Sequence, residues 1–433
     1  MVKVVLVERK DPGSKSYLYE LRELAEAAGY RVVGELVQVR PPDSSYQIGK
    51  GKVKELAELV KNVGAEKVIF FNELKPVQVF NLQKALGVEV VDRFELILEI
   101  FAQRAGSREA KLQIELARLK RQLPFIKEAL HLAKLGEYPG FLGGGEYVID
   151  AYYRHVVRRV AKIEEELQRI RGRKDRYWTR RKETGLPSIS ITGYTGAGKT
   201  TLFNALTGYR GYIDGKPFAT LSTKVRRASL LGRPALLSDT VGFIDSLPPL
   251  LFDAFYTTLG EVLYADIVLL VVDVSDDINE IERKTGAGLD ILEELGISLR
   301  RIVAAANKVD IARDLDSKLE VVKSLTNRVV PISALKKVGL RELELELLRS
   351  LPDYVRAELV VPHHSLRILD EVKRYGYIAS MEPLDGGLRV IAEGKAYLIR
   401  RLGERLRSEG GDFKVLGGVT LESSGAEAGP QAS

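Results

Sequence analysis

Gly193-Tyr194-Thr195-Gly196-Ala197-Gly198-Lys199-Thr200 decides the fold of this chain. The stretch fits G-x-x-x-x-G-K-[ST], and its flanks are those the pattern requires. Before it, Ser188-Ile189-Ser190-Ile191-Thr192 reads as an apolar strand; after it, Thr201-Leu202-Phe203-Asn204-Ala205-Leu206 reads as a helix. Glycines let the backbone curl so that successive N–H groups point inward at phosphate oxygens. The helix adds the positive end of its dipole, Lys199 its charge, and Thr200 a hydroxyl suited to Mg2+. Residues Gly193 through Thr201 are therefore the expected phosphate cradle.

Three further strand ends name the nucleotide. Pro234-Ala235-Leu236-Leu237 runs into Ser238-Asp239-Thr240-Val241-Gly242. An Asp at that place can hold Mg2+, and Gly242 lets its N–H approach a terminal phosphate. The apolar Ile302-Val303-Ala304-Ala305-Ala306 ends in Asn307-Lys308-Val309-Asp310. A carboxylate at Asp310 accepts two hydrogen bonds from a guanine edge, whereas the ring acceptor of adenine would be repelled. Val329-Val330-Pro331-Ile332-Ser333-Ala334-Leu335 closes in a small loop suited to the base carbonyl. Asn307, Lys308, Asp310, Ser333, Ala334 and Leu335 are the expected guanine contacts. In an open parallel sheet, the carboxyl ends of the strands are where ligands bind.

A polar stretch, residues 209–223, contains Phe218-Ala219-Thr220-Leu221-Ser222-Thr223. Thr220, with Thr223 as its competitor, joins Thr200 and Asp239 as an expected Mg2+ contact. Phe218, Ala219, Thr220, Thr240, Val241 and Phe243 are expected to order around the triphosphate and loosen after hydrolysis. The whole set resembles a translation-factor-related GTPase. Such enzymes usually place the attacking water with a Gln after the D-x-x-G glycine; here that position is Phe243, followed by Ile244. A phenyl ring cannot orient water by hydrogen bonding, so slow hydrolysis is expected until a partner or another loop completes the site.

With 433 residues, 45% apolar and 29% charged, the chain can bury about three cores. No apolar run approaches the ~20 residues of a membrane span, and residues 1–7 read as a buried strand rather than a signal peptide. The absence of cysteine excludes disulfides, thiolate metal sites and Cys nucleophiles. His131, His155, His363 and His364 show no metal-ligand spacing. A cytoplasmic monomer is expected.

Residues 1–103 alternate strand (3–7, 31–39, 67–71, 88–91) and helix (17–28, 53–62, 77–86, 95–101), the pattern of a small parallel α/β domain. Gly49-Lys50-Gly51-Lys52 is too short for a phosphate loop and reads equally as a tight turn or an anion contact. Next, Leu112, Leu116, Leu119, Leu123, Ile126 and Leu130 step by three and four, as do Tyr153, Val156, Val160, Ile163, Leu167 and Ile170. These are the two seams of an antiparallel coiled coil, of the order of 30 Å long for ~20 residues per helix. Pro124 should kink the first helix. The arm, residues 104–182, carries 20 Lys/Arg and 10 Asp/Glu, a net +10 that leaves −3 for the rest of a chain whose total is +7. Its densest part holds Arg169, Arg171, Arg173, Lys174, Arg176, Arg180, Arg181 and Lys182, with Tyr177 and Trp178 among them. Such a footprint fits a polyanion, structured RNA rather than DNA, with an acidic membrane surface as the rival. Residues 183–352 hold the phosphate-loop domain. Residues 353–420 read as strand, helix, hairpin at Asp385-Gly386-Gly387, helix and strand, a ferredoxin-like α+β module. Residues 421–433 have the composition of a disordered tail. The fold class is thus α/β: a P-loop GTPase domain with a small N-terminal α/β domain, a helical arm and a C-terminal α+β module.

This layout resembles the HflX family of ribosome-associated GTPases over roughly residues 1–350. The marks are Ile48-Gly49-Lys50-Gly51-Lys52, Phe71-Asn72-Glu73-Leu74, Val91-Asp92-Arg93, Ile100-Phe101-Ala102-Gln103-Arg104-Ala105, Lys111-Leu112-Gln113-Ile114-Glu115-Leu116-Ala117, Phe218-Ala219-Thr220-Leu221 and Asp239-Thr240-Val241-Gly242-Phe243-Ile244. The resemblance implies binding to the large ribosomal subunit and its rRNA, ribosome-stimulated hydrolysis of GTP to GDP, and a role in rescuing or splitting ribosomes under stress. Two departures limit it. Gly196 stands where many relatives carry an Asn linked to potassium-assisted hydrolysis, and Phe141-Leu142-Gly143-Gly144-Gly145-Glu146 replaces the Arg-Gly-Pro-Gly-Glu tip of bacterial members. Beside this reading stand a GTPase of ribosome assembly or of another RNA, and a nucleotide-gated protein-interaction module.

Overall fold

The structure, a computed structural model, describes residues 1–134, 145–209, 224–240, 242–243 and 260–418. The expectations for Phe218, Ala219, Thr220, Thr223, Val241, the arm tip and the tail concern residues outside these. Two bodies are distinguished, one ending at Arg173 and one beginning at Lys174.

The first body opens with β1 (Lys3–Lys10), α1 (Leu18–Ala27), β2 (Arg31–Val39), α2 (Lys50–Val63), β3 (Lys67–Phe70), α3 (Pro76–Leu86), β4 (Glu89–Asp92) and α4 (Arg93–Arg104). The strands are parallel in the order β2-β1-β3-β4. Val4, Val5, Leu6 and Val7 are all fully buried, as a strand covered on both faces demands. One reading is corrected here. Gly49-Lys50-Gly51-Lys52 is no turn: Gly49 is the extended N-cap, and α2 begins at Lys50. The Gly49 N–H donates to Gln38 Oε1 of β2 at 2.8 Å, which seats the cap against the sheet.

Helices α5 (Arg108–Lys134) and α6 (Gly145–Glu183) form the arm. Leu112, Leu116, Val156, Val160, Ile163 and Leu167 make its buried seam, with Leu119, Leu123, Ile126 and Ile170 packed on it. Their direction is antiparallel, since Arg108 pairs with Glu166 at 2.7 Å and Glu115 with Arg159 at 2.6 Å. The helices, at 27 and 39 residues, outrun the ~20 expected from the seam. α5 continues through Pro124, and α6 stops only before Gly185, whose φ is +81°. At the base of the arm, Arg121 pairs with Asp92 and its guanidinium lies 4.5 Å from the Phe94 ring.

In the second body, β5 (Ser188–Gly193), β6 (Lys224–Leu230), β7 (Arg233–Asp239), β8 (Ile267–Asp273), β9 (Ile302–Asn307) and β10 (Val329–Ile332) form one sheet in the order β10-β9-β8-β5-β7-β6. Only β6 runs antiparallel. Helices α7 (Lys199–Thr207), α8 (Ile278–Glu294), α9 (Leu315–Leu325) and α10 (Leu340–Ser350) accompany it. Ile189, Ile191, Leu237, Leu269, Val271, Val303 and Ala305 share its core. Because β5 has β7 on one side and β8 on the other, the chain winds both ways from it. The crevice above β5 is therefore the switch point where ligands settle.

A four-stranded antiparallel sheet follows: β11 (Tyr354–Pro362), α11 (Arg367–Tyr375), β12 (Tyr377–Leu384), β13 (Gly387–Lys395), α12 (Ala396–Ser408) and β14 (Asp412–Gly418), ordered β12-β13-β11-β14. This is the ferredoxin-like arrangement. Buried Arg233 pairs with Glu393 at 2.7 Å, and Lys395 pairs with Asp266. Asp266 also accepts the Ser188 N–H at 2.8 Å, so the module is tied to the start of β5.

Candidate active site

β5 ends in the loop that precedes α7, and its glycines have geometric reasons. Gly196 and Gly198 adopt φ of +79° and +95°, and a Cβ on Gly198 would lie 2.3 Å from Asn307 Nδ2. Lys199 folds back, its Nζ donating to the carbonyls of Gly193 (3.1 Å) and Tyr194 (2.8 Å). Burial pushes its ammonium down to about 8, opposed by the Asp239 carboxylate. Thr200 Oγ1 donates to Asp239 Oδ2 at 3.0 Å. The end of β7 and the first turn of α7, where Thr201 also sits, thus bring a hydroxyl and a buried carboxylate together. That donor pair, hard oxygens in contact, fits Mg2+.

The D-x-x-G segment lies against the loop. Thr240 donates its hydroxyl to Ile191 O at 2.8 Å. A Cβ on Gly242 would come within 2.6 Å of Lys199 Nζ and 2.9 Å of Thr195 Cγ2. Phe243 exchanges backbone hydrogen bonds with the loop: its N–H donates to Gly193 O and its carbonyl accepts from Thr195 N–H, both at 2.9 Å. Phe243 is 4% exposed, and its ring lies 3.5 Å from where a Cβ on Gly288 of α8 would sit.

On the base side, Asn307 is a brace. Its Nδ2 donates to Ala197 O at 2.8 Å and its Oδ1 accepts from Ala334 N–H at 2.9 Å, so one side chain ties the phosphate loop to the loop after β10. Lys308, with φ +72°, pairs with Asp273 at the end of β8. Ser333 and Val338 exchange two backbone hydrogen bonds, Ala334 is buried, and Leu335 is exposed. Asp310 stands exposed in the turn after β9. The sequence reading missed Asp273, although a strand closing in Val271-Val272-Asp273 beside the others carries the signal.

The basic helix is corrected in two places. Arg173, Arg176, Tyr177, Arg180 and Lys182 are exposed, and Arg169 makes a surface pair with Glu165 at 2.5 Å. Arg171 and Lys174 are half-buried. Arg181, however, is spent on buried Glu261 at 2.9 Å, and Trp178 is 3% exposed. Neither can offer its side chain to RNA from that position.

Comparison with known proteins places these features. Residues 15–102 match the family described as GTP-binding GTPase N-terminal, residues 104–181 the GTP-binding GTPase middle region, and residues 188–308 the 50S ribosome-binding GTPase family. GTPase HflX of Thermofilum pendens is 50% identical over 407 residues, covering 93% of this chain and 96% of that one. GTPase HflX of Thermococcus kodakarensis is 40% identical over 376 residues, covering 84% and 85%. The crystal structure of SsGBP in complex with GDP is similar at a TM-score of 0.50 and 33% identity, over 80% of this chain and 97% of that one.

Proposed function

The chain belongs to the HflX family of GTPases, and from that premise we propose that it is a GTP-hydrolysing switch acting on the large ribosomal subunit in the cytoplasm, as a monomer. The observation that carries the reading is the convergence at one sheet edge of Lys199, the Thr200–Asp239 pair and the Asn307-braced loops. In this reading the N–H groups of residues 196–201 and the Lys199 ammonium hold the phosphates, and Asp310 reads the guanine edge. Thr200 and Asp239 would hold Mg2+, which neutralises charge on the β- and γ-phosphates when bound. Gly242 leaves room for its N–H to meet the γ-phosphate.

Water activation is the gap. Phe243 points its ring into the protein beside Gly288 rather than presenting a polar group, which supports slow hydrolysis by the chain alone. The net +10 arm and its exposed Arg173, Arg176 and Arg180 support ribosomal RNA as the partner that completes the cycle. Rescue or splitting of stalled ribosomes is the role this design suits. Cosedimentation tests it: with a non-hydrolysable GTP analogue the chain should pellet with large subunits, and with GDP it should stay in the supernatant. Preference for precursor particles or free RNA would shift the reading to ribosome assembly, and absence of pelleting in every nucleotide state would remove the ribosome.

A further inference from the structure

The basic helix ends in a clamp that nucleotide chemistry does not use. Trp178 is the sole tryptophan of the chain, and it is buried between exposed Tyr177 and Arg180. Its Nε1–H donates to Glu261 Oε1 at 2.9 Å, and Arg181 donates to both oxygens of that carboxylate at 3.2 and 2.9 Å. Glu261 is itself 6% exposed. From the same helical stretch, of which residues 260–264 are described, Tyr264 stacks on Trp178 with centroids 4.6 Å apart and donates its hydroxyl to Asp175 at 3.0 Å. A Cβ on Gly260 would lie 2.1 Å from the indole, so the Trp178 ring packs directly on the Gly260 backbone, where no larger residue would fit.

Residues 260–264 follow the D-x-x-G segment along the chain and run into β8. A buried carboxylate shared by two donors on one neighbour is satisfied in a single arrangement. A fractional turn of residues 260–264 would strip both donors and wet the indole; packed contacts of this kind have discrete states rather than a continuum. We infer that Glu261, gripping Trp178 and Arg181, is the coupling through which the nucleotide state of the D-x-x-G segment reaches the last turns of α6, and with them Arg176 and Arg180. Glu261 is a positioning residue, and the inference rests on Asp239 and Gly242 being nucleotide-responsive.

Trp178 reports on its own surroundings. Calorimetry first establishes saturation with GDP and with a non-hydrolysable GTP analogue, and the emission of the full chain is then recorded for both complexes. The expected result is a shifted emission maximum and altered acrylamide quenching between them. Glu261→Gln should abolish that difference while intrinsic hydrolysis stays within about twofold of the parent. A carboxylate serving only stability would lower the melting temperature alike in both complexes and leave the parent spectra identical. Superimposable parent spectra with both nucleotides bound, or a full difference retained in Glu261→Gln, would overturn the coupling and leave the nucleotide site standing. Absence of any binding isotherm would overturn both.

Discussion

Lys199 carries a strong electrostatic tension. Its ammonium is buried and held at about 8, below the ordinary 10.5, with Asp239 pulling the other way. The fold therefore favours the neutral amine. This group penalises stability below pH 8, and the penalty is relieved as pH rises toward 10.5, where the unfolded chain still holds the proton the folded one has released. A triphosphate supplies the missing counter-charge, so binding above pH 8 must take up a proton. GTP affinity should fall by up to about tenfold per pH unit above 8. Calorimetry at pH 9 in two buffers of different ionisation heat measures that proton, and zero uptake would place Lys199 away from the phosphates. At the other end of the site, Asp310→Asn should cost GTP about 100-fold or more in affinity, read by displacement of a fluorescent guanine nucleotide. The residue types of this site were legible because phosphate and guanine chemistry demand them at strand ends. Their partners were not. Asn307 and Trp178 look available for a ligand on paper, yet both spend their polar atoms on the protein, which only the tertiary neighbours decide.

Elements obey the same division. The three-and-four spacing of Leu112 to Leu130 and Val156 to Ile170 announced two antiparallel helices, because only that spacing keeps one face in the seam. Where the helices end was not written in the spacing: α6 runs past Ile170 because Trp178 finds a buried place beyond the seam. Likewise α2 starts at Lys50 beside the Gly49 N–H that Gln38 of β2 accepts at 2.8 Å, a contact from another strand. The arm's attachment is similarly nonlocal. Asp92 is 2% exposed, caps α4 through Glu95 N–H at 3.1 Å and accepts Leu74 N–H at 3.0 Å, with Arg121 as its counter-ion. Arg121→Ala leaves that carboxylate buried without the cation and should cost about 3 kcal/mol. A chemical denaturation midpoint unchanged from the parent would show the pair to be idle.

Across the whole molecule, charge is the organising asymmetry: +10 on the arm against −3 elsewhere. Reversing Arg173, Arg176 and Arg180 to Glu together, with Arg181 kept for Glu261, should weaken large-subunit binding at least about tenfold and flatten its salt dependence. Unaltered pelleting across the salt series would take this face of α6 out of the interface. The same molecule joins a phosphate loop to Phe243, buried at the position where a Gln would orient the attacking water. Phosphate release from GTP, measured on the purified chain with and without large ribosomal subunits, tests that combination most directly. Slow turnover alone, rising at least about tenfold when subunits are added, is the predicted result; rapid turnover by the chain alone, or a rate indifferent to the subunits, would contradict it.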